Sequence, residues 1–374
     1  MKKTLEKLSP IIFELFEHLH QNPEVSWKEV NTTSFIANFL KSNGWEVRTF
    51  PDHTGVIGEL GNGPLTVGVR ADMDSLWQEV NGRFQANHSC GHDAHMTMVL
   101  GTLLLLKEMQ LELPGRLKLI FQPAEEVGDG ALKMIEKQVI DDIDFLYGVH
   151  LRPIQELSMG TASPGIIHGA AETVSAKIIG FDAHGARPDL GVNAIEVVSA
   201  IVEQLKGIRL NPFESFSVKM TQVSAGGDNT NVIPGSAQFH LDLRAQKNET
   251  MDMLVQKVDH ILQQVASLFE VKIEFEHKEK VYAAVVNPEA QKIMAKAIAE
   301  SIGAENVIPA VITPGAEDFH FYTKERPDLK AAMLGLGCDL APGLHHPYMS
   351  FNRNALLNGI EILTRTVLAT FEQY

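Results

Sequence analysis

Between Trp45 and His150 strand-like runs alternate with helical ones, and three of the strands lead into side chains that can bind a metal. Trp45–Phe50, Val56–Leu60, Leu65–Arg70, Arg116–Phe121 and Phe145–Val149 have the length and apolar content of strands. The third runs into Ala71-Asp72-Met73-Asp74, the fourth into Gln122-Pro123-Ala124-Glu125-Glu126, and the fifth ends at His150. Strands interleaved with helices build a largely parallel sheet whose strand C-termini share one edge, and open α/β sheets bind ligands along that edge. The pattern therefore predicts one crevice that collects all three strand ends.

The longest intervening segment begins with His88-Ser89-Cys90-Gly91-His92-Asp93. A thiolate and neutral imidazoles are ligands for zinc, manganese, cobalt or nickel. Residues at i and i+2 point to opposite sides of an extended chain, so Cys90 and His92 converge only at a bend, which Gly91 permits. Asp93 reads as the N-cap of an apolar helix from Ala94 to Met109. A cysteine just before a helix N-terminus is expected to ionise more easily. Upstream, Ser9-Pro10 reads as an N-cap with proline at N1, opening a helix through His20, and a second helix covers Glu29 to Asn43.

From Glu172 the order becomes β-α-β-β-α-β: strand Glu172–Phe181, helix Val192–Ile208, strands Ser217–Val223 and Ala237–Arg244, helix Met251–Leu268 and strand Val271–Glu276. That is the split βαβ, ferredoxin-like arrangement. After Tyr282 the α/β style resumes with helix Pro288–Ile302, strand Ala331–Leu336 and a closing helix from Asn354. The expected organisation is an α/β catalytic domain in two parts, residues 1–171 and 281–374, carrying an inserted ferredoxin-like α+β lid at 172–280. Two stretches look unlike plain loops: Gly315-Ala316-Glu317-Asp318-Phe319, and Gly343-Leu344-His345-His346-Pro347. Pro347 favours an extended His346, so only one of the adjacent histidines faces the crevice.

A formal net charge of −15 argues against a nucleic-acid or anionic-membrane partner. Two cysteines are too few for a disulfide framework. The longest apolar run, Met98–Leu106, is far short of the ~20 residues of a membrane span. The expectation is a cytoplasmic protein.

If Cys90, His92, one of Glu125 and Glu126, His150 and His345 converge, five ligands exceed the needs of one tetrahedral ion. They suit two metals bridged by the Cys90 thiolate, an arrangement that clamps both attacking and leaving oxygens in a displacement. One glutamate of the doublet then binds a metal and its neighbour takes a proton from water. No Gly-x-Ser-x-Gly, His-Glu-x-x-His or phosphate-binding glycine-rich loop competes with this reading.

Asp72-Met73-Asp74, His88-x-Cys90-Gly91-His92-Asp93, Gln122-Pro123-Ala124-Glu125-Glu126, Gly148-x-His150, Gly315-Ala316-Glu317-Asp318-Phe319 and His345-x-Pro347 occur in this order. Together they resemble the dinuclear metallo-amidohydrolases that include hippurate hydrolase, N-acetyldiaminopimelate deacetylase and the plant auxin-conjugate hydrolases, within the aminoacylase and carboxypeptidase G superfamily. The resemblance covers nearly the whole chain. It implies a zinc-exopeptidase-like catalytic domain and two divalent ions (Zn, Mn, Co or Ni) held by Cys90, His92, Glu126, His150 and His345. It makes Glu125 the general base and acid, and Asp74 the carboxylate that orients a ligand. His184, in Ala183-His184-Gly185-Ala186-Arg187-Pro188, is similar to the lid histidine that steadies the oxyanion, often from a neighbouring subunit. Asn231 and Arg244 resemble the residues that hold the substrate carboxylate, and Glu317 is grouped with them. The chain departs from its relatives at Arg353, where they usually carry an acid, and at Ser75-Leu76-Trp77, where they tend to carry Ala-Leu-Pro.

These features imply an amidohydrolase acting on N-acyl amino acids or similar small conjugates, as a homodimer or higher homo-oligomer. A dipeptidase or aminopeptidase on the same centre, and a metal-bearing binding protein without turnover, are the alternatives. Glu125 argues against the latter, since a binder needs no base.

Overall fold

The computed structural model describes residues 1–374, which divide into two compact units. The first comprises Met1–Ile167, Val285–Ile312 and Asp318–Tyr374, the second His168–Ala284 with Thr313–Glu317.

The first unit is built on a seven-stranded sheet in the order Glu46–Thr49, Val56–Leu60, Arg116–Gln122, Thr66–Asp72, Phe145–Pro153, Lys330–Leu340 and Ala162–Ser163. The four strands from Arg116–Gln122 to Lys330–Leu340 are mutually parallel, and the outer ones are antiparallel. Thr66–Asp72 is buried at every position, as expected of a strand covered on both faces. Register sets Asp72 beside Gln122 and Arg70 beside Gly148, so the three predicted strand ends do reach one edge. The strand carrying His150 runs on to Pro153 rather than stopping at the histidine.

The helix after the cysteine motif spans His92–Glu108 and is buried almost all round. It contacts the Lys2–Gln21 and Ala355–Gln373 helices and the Thr66–Asp72 strand. Gly101 and Gly359 let it approach the last helix closely: a Cβ on either would meet Ile360 or Met98 within 2.3 Å. Two expected helix starts are corrected. Gly91 (φ 91°), not Asp93, is the N-cap, and Asp93 lies in the first turn with its carboxylate accepting from Ala94 N and paired with His20 Nδ1. The first helix begins at Lys2 and carries Pro10 inside it. Proline leaves the Glu6 carbonyl without its helical donor, and the Ser9 hydroxyl supplies one at 2.9 Å.

The second unit has the predicted βαββαβ order. Its sheet runs Phe216–Ala225, Ala237–Ala245, Ala170–Ile179, Lys272–Val281, with every neighbour antiparallel. The helices Ala194–Lys206 and Asn248–Leu268 contact this sheet around a separate apolar core containing Val174, Ile201, Phe239, Leu241 and Leu254.

One further element escaped the sequence reading. Leu76–Val80 and Arg83–Asn87 form a hairpin about Asn81 (φ 53°) and Gly82 (φ 77°), the positive-φ pair of a type I′ turn. The Asn-Gly dipeptide between two short runs is its signal.

Candidate metal centre

Cys90, His92 and His150 form a buried group at the sheet edge whose ligand atoms lie within 4.8 Å of one another. Gly91 makes the group possible: at φ 91° it turns the chain, and a Cβ there would meet Leu151 Cδ1 at 2.9 Å. Each histidine is oriented through its far nitrogen. His92 Nδ1 lies 2.9 Å from the Asp74 carbonyl and 3.2 Å from Asp74 Oδ1. His150 Nδ1 lies 2.7 Å from the Leu151 carbonyl. A carbonyl can only accept, so both rings carry a proton on Nδ1 and keep Nε2 for a ligand. His150 Nε2 is 3.7 Å from Cys90 Sγ.

A second group shares Cys90 and adds Glu126 and His345. His345 Nε2 lies 3.2 Å from Cys90 Sγ and 3.4 Å from Glu126 Oε2. Of the two adjacent histidines, His345 is thus the one that joins the group, and its backbone is left-handed (φ 64°). Glu126 is fixed by its own N–H, which donates to Asp74 Oδ2 at 3.1 Å. Glu125 Oε2 lies 3.9 Å from His92 Nε2, as does Glu126 Oε1. The left-handed turn at Ala124 (φ 54°) is pinned by the buried Glu29 carboxylate, which accepts from Ala124 N at 2.9 Å and Thr54 Oγ1 at 2.6 Å.

These residues fit metal ions. His92 Nε2 and Glu126 Oε1 are buried with no hydrogen-bond partner, a costly state for polar atoms. Ligand atoms on one tetrahedral ion sit about 3.3–3.7 Å apart for bonds of about 2.0–2.3 Å, close to the 3.2 and 3.7 Å found around Cys90. Charge points the same way. Burial acts against a charged His92, yet Asp72, with the Asp74 hydrogen bond, outweighs it and holds the imidazole well above its usual pKa. Burial raises Glu126 to about 7. Burial, with His95 and Arg152, keeps His150 well below its usual value, hence neutral. The expected easy ionisation of Cys90 is corrected: burial pushes the thiol well up, with Glu126 adding to it, and this outweighs its place before the helix. Its thiolate therefore needs a cation beside it.

Beneath this edge lies a charged network that sequence reasoning missed. Arg70, fully buried in the Thr66–Asp72 strand, donates to Asp72 Oδ2 at 2.7 Å, Asp318 Oδ1 at 2.9 Å and Gln122 Oε1 at 2.9 Å. Asp72 Oδ1 lies 2.7 Å from His95 Nδ1, and His95 Nε2 accepts the Leu151 N–H at 2.9 Å, next to His150. Burial acts to raise Asp72, but His92, His95 and Arg70 prevail and hold it well below the usual carboxylate range. His95, three residues after His92 and so on the same helix face, was the available signal. Glu317 is buried, but in its element it is the neighbouring Asp318 that joins this network, accepting also from Ala131 N and Gln122 Nε2.

The remaining predicted residues lie in the second unit. His184 pairs with Val232 in a two-stranded ribbon, so it stands beside Asn231, whose carbonyl accepts the Gly185 N–H at 2.7 Å. The Ala186 N–H donates to His184 Nδ1 at 3.0 Å. Arg244 is on the four-stranded sheet, where its Nε and Nη2 grip Asp242 at 2.9 and 2.8 Å. Back in the first unit, Arg353 reaches Glu17 at 2.8 Å and covers the Phe16 ring, so its departure from the relatives' pattern bears on helix packing.

The model of peptidase family M20/M25/M40 matches residues 68–369. The N-acetyl-L-cysteine deacetylase of Bacillus subtilis is 31% identical over 95% of this chain and 86% of its own. The IAA-amino acid hydrolase ILR1-like 4 of Arabidopsis thaliana is 30% identical, covering 92% and 82%. A crystal structure from methicillin-resistant Staphylococcus aureus superposes with a TM-score of 0.89 at 28% identity, covering 99% of this chain and 98% of that one.

Proposed function

The chain belongs to peptidase family M20/M25/M40 and is a hydrolase of amide bonds, and from that premise we propose that it cleaves N-acyl amino acids at a centre of two divalent ions. The observation that carries this reading is the convergence of Cys90, His92, Glu126, His150 and His345, with Glu125 at its border. Cys90, His92 and His150 would hold one ion, and Cys90, Glu126 and His345 the other. The donor set suits zinc, manganese, cobalt or nickel. When bound, such a pair supplies a water of lowered pKa and a pull on the carbonyl oxygen.

The protein's own groups do the rest. Glu125 takes the proton of the attacking water and returns it to the departing amine nitrogen. Asp74 holds His92 in the tautomer whose Nε2 is a ligand. His184 accepts at Nδ1, so its neutral ring keeps a proton on Nε2 to donate to the developing oxyanion. Asn231, Arg244 and Glu317 bind the amino-acid portion, which requires Arg244 to share or release Asp242. The proposed setting is the reducing cytoplasm, where the free Cys90 thiol persists.

A panel of N-acyl amino acids and dipeptides, run on protein loaded separately with zinc, manganese, cobalt and nickel, tests the reading. Release of free amino acid from the acyl substrates, abolished by chelation, is the expected result. Cleavage of dipeptides alone would make the protein a peptidase, and inertness of the loaded protein towards every substrate would make it a binder.

We further propose a homodimer in which His184 serves the neighbouring subunit. Mixing the inactive variants Glu125→Gln and His184→Ala should then restore activity through subunit exchange. Mixtures as inactive as their parents would return His184 to its own chain.

A further inference from the structure

The hairpin Leu76–Val80/Arg83–Asn87 has no part in the chemistry above, yet one of its side chains ties together two segments of the metal centre. Gln78 Nε2 donates to the His345 carbonyl at 2.8 Å. Its Oε1 accepts from Ser89 Oγ at 2.8 Å and from Asn87 Nδ2 at 3.1 Å. The His345 N–H in turn donates to the Ser89 carbonyl at 2.7 Å. Both backbone groups of His345 are therefore bound, one by Gln78 and one by Ser89, and Ser89 immediately precedes Cys90. The hairpin also grips the following loop, through Asn87 Nδ2 to the Pro347 carbonyl at 3.0 Å and Asn81 N to Tyr348 Oη at 3.3 Å. The Gln78 amide thus adds a side-chain link between the Cys90 side and the His345 side to the direct backbone bond from His345 N–H to Ser89.

This matters because of the conformation it holds. A left-handed backbone is unfavourable for histidine, as for any residue with a Cβ. His345 nevertheless keeps φ 64°, and that places its Nε2 3.2 Å from Cys90 Sγ. The primary amide is well suited to the task, since it donates to a carbonyl on one side while accepting from a hydroxyl and an amide on the other. A carboxylate of the same shape would set an acceptor against the His345 carbonyl.

We propose that Gln78 is the positioning residue of the Cys90–Glu126–His345 half of the centre: it governs how tightly that half holds its ion, and leaves the Cys90–His92–His150 half unaffected. The inference rests on the two-ion reading above. Partners that orient metal ligands are each worth about 10–100-fold in affinity, which sets the size of the expected effect.

The test uses the full chain as wild type, Gln78→Met, Gln78→Glu and Gln85→Ala, the last a hairpin control. Each is stripped of metal, its melting temperature recorded, and then titrated with cobalt in metal buffers. Ions per chain are counted by mass spectrometry, and Cys90 ligation is followed by the thiolate charge-transfer absorption. Two ions are expected in wild type and Gln85→Ala. In both Gln78 variants one ion keeps wild-type affinity, the second weakens about 10–100-fold, and kcat recovers at saturating metal. Adding Gln78→Met to His345→Ala should cost nothing more in second-ion affinity, because the two act as one unit. A wild type that holds fewer than two ions overturns the two-ion reading and this inference with it. A two-ion wild type whose Gln78 variants keep both ions, lose both in step, or melt lower when metal-free with no selective ion loss overturns the inference alone.

Discussion

His92 stands on the first turn of a buried helix with its side chain fully shielded, whereas His345 stands on a loop with its side chain 53% exposed. The first is held from below by Asp74 and backed by the network of Arg70, Asp72 and His95. The second is held from the side by a hairpin amide at the edge of solvent. Water competes with the contacts of the second and cannot reach those of the first. The lesson is that one centre can be half preorganised and half assembled, and two ions of unequal affinity are expected, the outer one the more readily exchanged.

The sharpest way to isolate chemistry from this difference is Glu125→Gln, which leaves both halves standing. Turnover should fall at least ~100-fold while two ions stay bound, as kinetics and metal analysis on the same sample would show. Unchanged turnover would remove Glu125 from the mechanism. Cys90→Ser attacks the ligand both halves share and replaces a soft thiolate by a poor donor. Both affinities and activity should fall together; two tightly held ions in that variant would contradict the bridge.

Arg70→Met strikes the inner half alone. It leaves Asp72 and Asp318 in the core without their shared guanidinium, and breaking a buried pair costs roughly 3–5 kcal/mol, readable by urea denaturation. The inner ion should weaken with the outer one spared, the mirror image of the Gln78 result. Proton release acts on both halves at once. Cys90, Glu126 and His92 all have raised pKa values, so all three tend to keep protons that a metal must displace. Affinity should therefore rise with pH between 6 and 8, as titration of metal binding across that pH range would show. Calorimetry in buffers of different ionisation enthalpy should detect net proton release. Binding without proton release would refute that account.

The candidate group was legible because cysteine, histidine and paired acids are rare where this chain clusters them, and a parallel sheet gathers its strand ends whatever fills the core. The ferredoxin-like order was legible from periodicity alone. What stayed hidden depends on neighbours distant in sequence. Arg70 reads as an ordinary charge in Thr-Val-Gly-Val-Arg-Ala-Asp until the fold brings Asp318 to it. Pro10 reads as a helix start because the Ser9 hydroxyl bond to Glu6 is invisible beforehand. Cys90 was expected to ionise from its place before a helix, but its burial outweighs that place. Gln78 could not be singled out, since its worth lies in a loop some 267 residues later in the chain.

The Arg70 network has one more consequence, which concerns the sum of its charges. One guanidinium faces two carboxylates, Asp72 and Asp318, in a dry interior, and Asp74 adds a third carboxylate close by. The foundation of the site is thus negative before Glu125 and Glu126 are counted. In a medium that screens poorly, such an excess is felt across the whole cluster. Cations held in the crevice would then balance a charge built into the central strand as well as serve the proposed reaction. Stripping them should loosen the floor of the site along with its rim, and the metal would then belong to the fold's electroneutrality as much as to its chemistry.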